Sequence, residues 1–465
     1  MADYSIPVLA NAPTSDFPHY WEGCVGSDHA AISTRTDWQS ALSEVIATNG
    51  FQRIRFHGVL DDDMNFYIAA SGGSASVSMT DINTCFDMLL AKGIRPFVEI
   101  SFMPTALASG TQTVNYYEAN VTPPSSLTTW STVIGRFVSS LVSRYGIAEV
   151  ETWYFEVWNE PDQNSWSGTQ AQYFDLFAAT SSAIKSVNSS LRVGGPATSQ
   201  VQWIAAFLNY CATNSVAIDF VSAHVYPGDP QASLFGVDLG LPSEQIVPRA
   251  IQCARARIAA SPFPDLPLII TEWAAQNPAF IAYTMEACQG LCDFICYWDF
   301  TTIFEESGPI GKFDSVYFGL LDQYNVARTS FHVFTWLHEL GTTRVWTGFN
   351  PCIATRGTDG SLKLLLWNLP TNADVAKMGT PGPTLSFDVL LDGKTGTASV
   401  TTVDPLTYPV DILFNQWGRP DTLTADQIGQ LQAAGAMPTS QTVALTGSVL
   451  SLSLTSNSVA FIEIG

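Results

Sequence analysis

Tyr154-Phe155-Glu156-Val157-Trp158-Asn159-Glu160-Pro161-Asp162 is the stretch whose reading decides the fold. Aromatic and β-branched residues around one carboxylate read as a buried strand. Pro161 has no N–H to give a ladder, so the strand is expected to stop at Glu160. A carboxylate at that position, beside the Asn159 amide, faces whatever lies at that edge of the sheet. In a parallel barrel, that edge is where catalytic groups sit.

Working outward, the same unit recurs on both sides. Upstream, an apolar run ends in Trp21 to Gly26, and an amphipathic helix through Trp38 and Leu42 stops at Asn49-Gly50. Strand Phe51 to Phe56 leads into His57-Gly58. A helix from Thr80 to Gly93 precedes strand Arg95 to Ser101, and a helix through Trp130, Phe137 and Leu141 returns to Tyr154. Downstream, helices 170–187, 201–213, 243–260, 278–290 and 325–340 alternate with strands beginning near Leu191, Phe220, Leu266 and Phe294. Eight strand–helix pairs result, and the strands are continuous apolar runs, the mark of parallel strands covered on both faces. This predicts an α/β fold, a (β/α)8 TIM barrel over residues 17–341. No glycine-rich phosphate loop follows the first strand, which counts against a dinucleotide fold and an open doubly wound sheet.

After Gly341 the texture changes. Apolar runs at 362–367, 385–391, 398–403, 410–414 and 443–464 alternate with Pro, Gly, Asn and Asp. They predict an all-β, sandwich-like accessory domain over 342–465, in a supporting role. The N-terminal stretch 1–16 carries a strand at 4–9, with Pro7 marking it as an edge strand that joins the accessory domain.

The 465 residues carry 20 Lys+Arg against 42 Asp+Glu, a net charge of −22. Such a surface repels phosphates and anionic lipid, which excludes nucleic acid and membrane as partners. The acidic balance and the sequons Asn120-Val-Thr and Asn188-Ser-Ser lean toward an extracellular location, although no signal peptide opens the chain. Cys288, Cys292 and Cys296 recur every four residues without a His or Asp cluster, so they read as packed thiols and not as a metal site. No metal or cofactor is expected, and the oligomeric state is left open.

Polar residues gather at one end of the predicted barrel. Arg55 and His57 end its second strand, Asn159 and Glu160 the fourth, His224 and Tyr226 the sixth, Glu272 the seventh and Trp298 the eighth. Each alone has a structural explanation; together at one mouth they form a site. Two acids there suit glycosidic cleavage, one protonating the leaving oxygen while the other attacks the anomeric carbon or activates water. An oligosaccharide or glycoside is the partner this implies.

These residues carry a resemblance. Phe155 to Asp162 with Ile270-Thr-Glu-Trp273 is similar to the retaining (β/α)8 clan of glycoside hydrolases. With Trp21 to Ser27, Arg55-Phe-His-Gly58, Pro96 to Pro104, His224-Val-Tyr226 and Phe304-Glu-Glu306, the chain resembles glycoside hydrolase family 39, the β-xylosidases and α-L-iduronidases. The resemblance implies Glu160 as general acid/base and Glu272 as nucleophile, with carboxyls roughly 5 Å apart. It implies that Asn159 binds the sugar 2-hydroxyl, that Tyr226 and Arg55 orient and ionise the nucleophile, and that His57 and His224 contact hydroxyls. Glu305 and Glu306 match an acidic pair that holds hydroxyls at the far side of the terminal sugar. Such a pair repels a uronate, so the expected enzyme is an exo-acting β-D-xylosidase. Other exo-glycosidases of the family, directed at arabinose, galactose or iduronate, and a sugar-binding barrel without catalysis are the alternatives. Two stretches depart from the family: Ala274-Ala275-Gln276 after the nucleophile, and Asp314 to Leu320, which lacks the usual His. Both are expected to shape the subsites.

Overall fold

The computed structural model describes residues 2–68, 76–314, 318–348 and 350–465. Eight parallel strands close a barrel in chain order: Cys24–His29, Arg53–His57, Arg95–Ile100, Tyr154–Val157, Arg192–Thr198, Phe220–His224, Leu268–Trp273 and Phe294–Tyr297. Helices between them cover the outside, and their starts and stops follow local chemistry. Helix Thr36–Asn49 ends on Gly50 at φ 72°, and Gln170–Val187 opens on a Thr169–Gln172 capping box.

Side chains alternate in and out along each strand, and the inward set is layered. At the bottom, Cys24, Phe97, Phe220, Ile269, Phe294 and Cys296 form a closed apolar plug capped by Tyr154. Two residues further along the strands the inward set turns ionic, with Arg55, Glu99 and Glu156 fully buried. The uniform apolar look of these strands comes from their outward faces, which pack under the helices, so the sequence pattern hides the charged layer inside.

The fourth strand ends at Val157, three residues before Glu160. The expected end is displaced because Trp158 sits at φ 74° and Glu160 at φ 42°, left-handed conformations that cannot extend a ladder. Another expected strand, 410–414, is helical: Pro409 opens helix Pro409–Gln416 at its first turn, where a missing N–H costs nothing. Helix Ala425–Ala434 also interrupts the C-terminal β segment.

That segment otherwise forms two sheets. Seven strands, in the order Thr14–Asp16, Thr343–Val345, Cys352–Arg356, Leu362–Trp367, Val459–Ile464, Thr397–Val403 and Gln441–Ala444, make the larger. The smaller pairs Tyr4–Val8 with Leu385–Leu391 and Val449–Leu454, with Tyr4–Val8 at its edge. Leu364 and Leu366 face the small sheet, while Leu365 and Trp367 join the barrel's core, so the central strand is covered on both sides. Trp336 of the last barrel helix stacks on Phe461 at 5.9 Å.

All eight cysteines are free. Asn120 of the first sequon is buried, its amide donating to Gly110 O, so it is not presented for glycosylation in the folded chain. No helix among the described residues is long and apolar enough to cross a membrane.

Candidate active site

The barrel mouth holds a cavity of about 280 Å³. His57, Asn159, Glu160, Tyr226, Glu272, Trp298 and Glu306 line it, all of them expected from the sequence. Arg55 and His224 lie just beneath, fully buried. Glu305 stands behind the wall, 3.1 Å from His29 Nε2.

Arg55 organises the floor. Its Nε donates to Glu156 Oε2 at 2.6 Å, Nη1 to Glu272 Oε1 at 2.8 Å and Nη2 to Asn159 Oδ1 at 3.0 Å. Nη2 is also 2.7 Å from Glu99 Oε2. A guanidinium is the one side chain with enough fixed donors to satisfy so many acceptors. Because Arg55 occupies Asn159 Oδ1, the Asn159 amide protons remain to donate into the cavity.

Glu272 is held by both oxygens, since Tyr226 donates to Oε2 at 2.8 Å. It reaches this position through an irregularity in the seventh strand, where pairing jumps from Ile270 to Glu272 opposite Ala223 and His224. The irregularity lets consecutive residues serve the floor: Thr271 Oγ1 donates to Glu156 Oε1 at 2.9 Å, and Glu272 meets Arg55. Burial raises the Glu272 pKa, with the Arg55 and His57 charges opposing it and Glu160 adding to it.

Glu160 sits on the turn that ends the fourth strand. Its N–H donates to Ala197 O at 2.9 Å, Asp162 accepts from Ser199 N–H at 2.9 Å, and the Trp158 indole donates to Ser165 O at 2.7 Å. These bonds hold the left-handed residues in place, and strain of this kind concentrates at working sites. Burial pushes the Glu160 carboxyl up to about 7; His57 and Arg55 pull it down, while Glu306 and Glu99 push it further up.

His224 joins the two acids. Its Nδ1 is 3.0 Å from Glu160 Oε1 and 3.5 Å from Glu272 Oε2, and its Nε2 is 3.4 Å from Arg55 Nη2. Arginine only donates, so Nε2 accepts and the proton resides on Nδ1, facing the acids. Burial drops this imidazole to about 4, so it is neutral there. An oxygen of Glu160, Nδ1 of His224 and an oxygen of Glu272 all lie within 4.8 Å of one another. Such a close approach of two carboxyls is compatible with direct attack on the anomeric carbon by one of them.

His57 is gripped between Glu99 at 2.8 Å and Glu306 at 3.2 Å. Burial opposes its charge, but these carboxylates outweigh it and hold the imidazole well above its ordinary value. Trp298 floors the cavity with its ring 4.8 Å from that of His57, resting on Gly26, where a Cβ would come within 2.4 Å of the indole.

Several residues here escaped sequence reasoning. Val114, Asn115, Asn164 and Ser165 line the cavity from loops whose composition carries no periodic signal. Glu99 and Glu156 could have been found, being carboxylates at inward positions of apolar strands. Of the two departing stretches, Asp314 to Leu320 reaches the cavity through Phe318, and its residues 315–317 lie outside the described residues. Ala274 to Gln276 turns away from the cavity, with Gln276 N–H donating to Val375 O of the β segment at 2.7 Å.

Comparison with known proteins agrees with this geometry. The model of glycosyl hydrolases family 39 matches residues 4–448. A β-xylosidase of Geobacillus stearothermophilus is 37% identical over 387 residues, 78% of this chain and 77% of that one. A β-xylosidase of Caldicellulosiruptor saccharolyticus is 35% identical over 439 residues, 90% and 88% of the two chains. The crystal structure of a monomeric β-xylosidase from Caulobacter crescentus CB15 superposes with a TM-score of 0.86 at 29% identity, covering 99% of both chains. With a barrel mouth that brings two acids to the spacing for retention, the chain belongs to glycosyl hydrolases family 39 and is a retaining glycoside hydrolase.

Proposed function

We propose that the enzyme is an exo-acting β-D-xylosidase that releases xylose from the ends of xylo-oligosaccharides by double displacement. Glu272 attacks the anomeric carbon while Glu160 gives its proton to the glycosidic oxygen. The ester so formed removes the Glu272 charge, which lowers the Glu160 pKa, and Glu160 then takes a proton from the water that releases the sugar. Asn159 donates to the 2-hydroxyl, Arg55 and Tyr226 keep Glu272 ionised and aimed, and His57, Trp298 and Glu306 bind the rest of the ring. His224 fixes the separation of the two acids from below, and Glu305 supports Glu306.

The observation that carries this reading is the placing of oxygens of Glu160 and Glu272 within 4.8 Å around His224. The sugar assignment is supported by the two relatives above 30% identity, which are called β-xylosidases, and by the carboxylate-rich wall around Glu306, which disfavours a uronate. We divide the chain accordingly into the catalytic barrel, 17–341, and a supporting β unit formed by 342–465 with 1–16.

Aryl glycosides test the proposal. Turnover of p-nitrophenyl β-D-xylopyranoside above that of the α-L-arabinosides, β-D-galactoside and α-L-iduronide is expected. Preference for any other sugar, or sugar binding without turnover, refutes it. A 2-fluoroxyloside is expected to label Glu272 and no other residue.

A further inference from the structure

The loop after the third strand folds into a hairpin, pairing Thr113–Val114 with Ala119–Asn120, and it touches the acidic pair at two points. The Tyr116 N–H donates to Glu306 O at 2.9 Å. The Tyr117 ring lies flat on the His29 imidazole, centroids 4.0 Å apart and planes within 4°. His29 in turn reaches Glu305 Oε2 through Nε2, and its Nδ1 is 3.3 Å from Asp63 Oδ2. The backbone N–H of Glu305 is taken by Asp28. Asn115, which lines the cavity, donates to the Tyr117 hydroxyl at 2.7 Å.

A buried imidazole between two carboxylates can tilt about its Cβ–Cγ bond away from both. The flat stack removes that freedom, because tilting His29 would break the ring contact. The imidazole is charged there: burial opposes it, but hydrogen bonding to Asp63 and the nearby Asp28 and Glu305 carboxylates hold it up to about 9. A cation over an aromatic face adds to the hold. Tyr117 itself does not line the cavity, so whatever it does to the sugar passes through His29 and Glu305.

We propose that Tyr117 is a specificity-determining positioning residue, which through its stack on His29 locks the Glu305–Glu306 segment against the hydroxyls of the terminal sugar remote from the bond being cleaved. This rests on the β-xylosidase reading and deepens it. Discrimination between xylose and its C4 epimer, arabinopyranose, then depends on a residue of the third loop that contacts no sugar.

The test compares p-nitrophenyl β-D-xylopyranoside with p-nitrophenyl α-L-arabinopyranoside, which differ only in the orientation of the C4 hydroxyl. Tyr117→Ala is expected to lower kcat/KM for the xyloside roughly tenfold, mainly through KM, and to narrow the preference between the two sugars. Tyr117→Phe, which keeps the stack, is expected to retain the preference. In a Glu305→Gln background Tyr117→Ala should cost nothing more. Should Tyr117→Ala fold poorly, Tyr117→Leu keeps the bulk without the stacked ring and is expected to narrow the preference likewise. An equal loss on both sugars, or a loss additive with Glu305→Gln, overturns the proposal. Wild-type inactivity on the xyloside overturns the parent reading and this one with it; wild-type activity with unaltered discrimination overturns only this one.

Discussion

Arg55 and Glu272 meet at the base of the barrel mouth, Nη1 2.8 Å from Oε1, with the guanidinium fully buried and the carboxylate almost so. The same guanidinium also pairs with Glu99 and Glu156, so it is both the counter-ion of Glu272 and the mainstay of the inner layer. Arg55→Ala leaves Glu156 buried without a counter-charge and Glu99 with His57 alone. It is expected to cost about 3–5 kcal/mol of stability and to abolish turnover. Thermal unfolding and activity on an aryl xyloside check both. Arg55→Lys recovers little, since an ammonium cannot present the planar fork that the acceptors surround.

Activity should follow a bell-shaped pH curve. In the proposed mechanism Glu160 works protonated, and its carboxyl is pushed up to about 7, so kcat/KM is expected to fall as pH rises through about 7. Glu272 works ionised, so the acidic limb belongs to it. Tyr226→Phe removes a donor to the charged form, which raises the Glu272 pKa and shifts the acidic limb upward. An acidic limb that stays put would show that Tyr226 does not stabilise the carboxylate.

Glu160→Ala separates acid catalysis from attack. On alkyl xylosides or xylobiose, whose leaving groups need a proton, the loss is expected to be about 10²–10⁴-fold. On a dinitrophenyl xyloside, glycosylation needs no acid, so the covalent intermediate should accumulate and give a burst. Equal losses on both kinds of substrate would refute the assignment.

Gly26→Ala probes the cavity floor. The added Cβ would lie 2.4 Å from Trp298 Cε3, so the indole must move. The expected result is a rise in KM of about tenfold with a stability loss of about 1–3 kcal/mol. Kinetics and calorimetry on one preparation measure both.

The barrel was legible because its strands repeat at a regular spacing and because the functional residues sit where those strands stop. Glu160 was found for a partly wrong reason: Pro161 does bar a strand, but the chain has already left the sheet at Val157 and turned through two left-handed residues. No propensity scale foresees a tryptophan at φ 74°, since hydrogen bonds to Ile100, Ala197 and Ser165 impose it from elsewhere in the fold. Val410 to Phe414 misled in the opposite way, its β-branched and apolar residues outweighed by a proline that starts a helix. The loop residues Asn115 and Asn164 were out of reach because a polar residue in a loop looks the same whether it faces solvent or a cavity.

The small sheet pairs Tyr4–Val8 with the far later strand Leu385–Leu391, and Thr14–Asp16 pairs with Thr343–Val345. In topological terms the catalytic barrel is an insertion within the β unit. A ribosome delivers the first two strands of that unit long before their partners, so they wait unpaired while the barrel assembles. The large sheet is clasped shut by Val459–Ile464, which slots between Leu362–Trp367 and Thr397–Val403. A chain truncated ahead of that strand would carry its barrel strands beside an open pair of sheet edges, the kind of unpaired edge that recruits other chains.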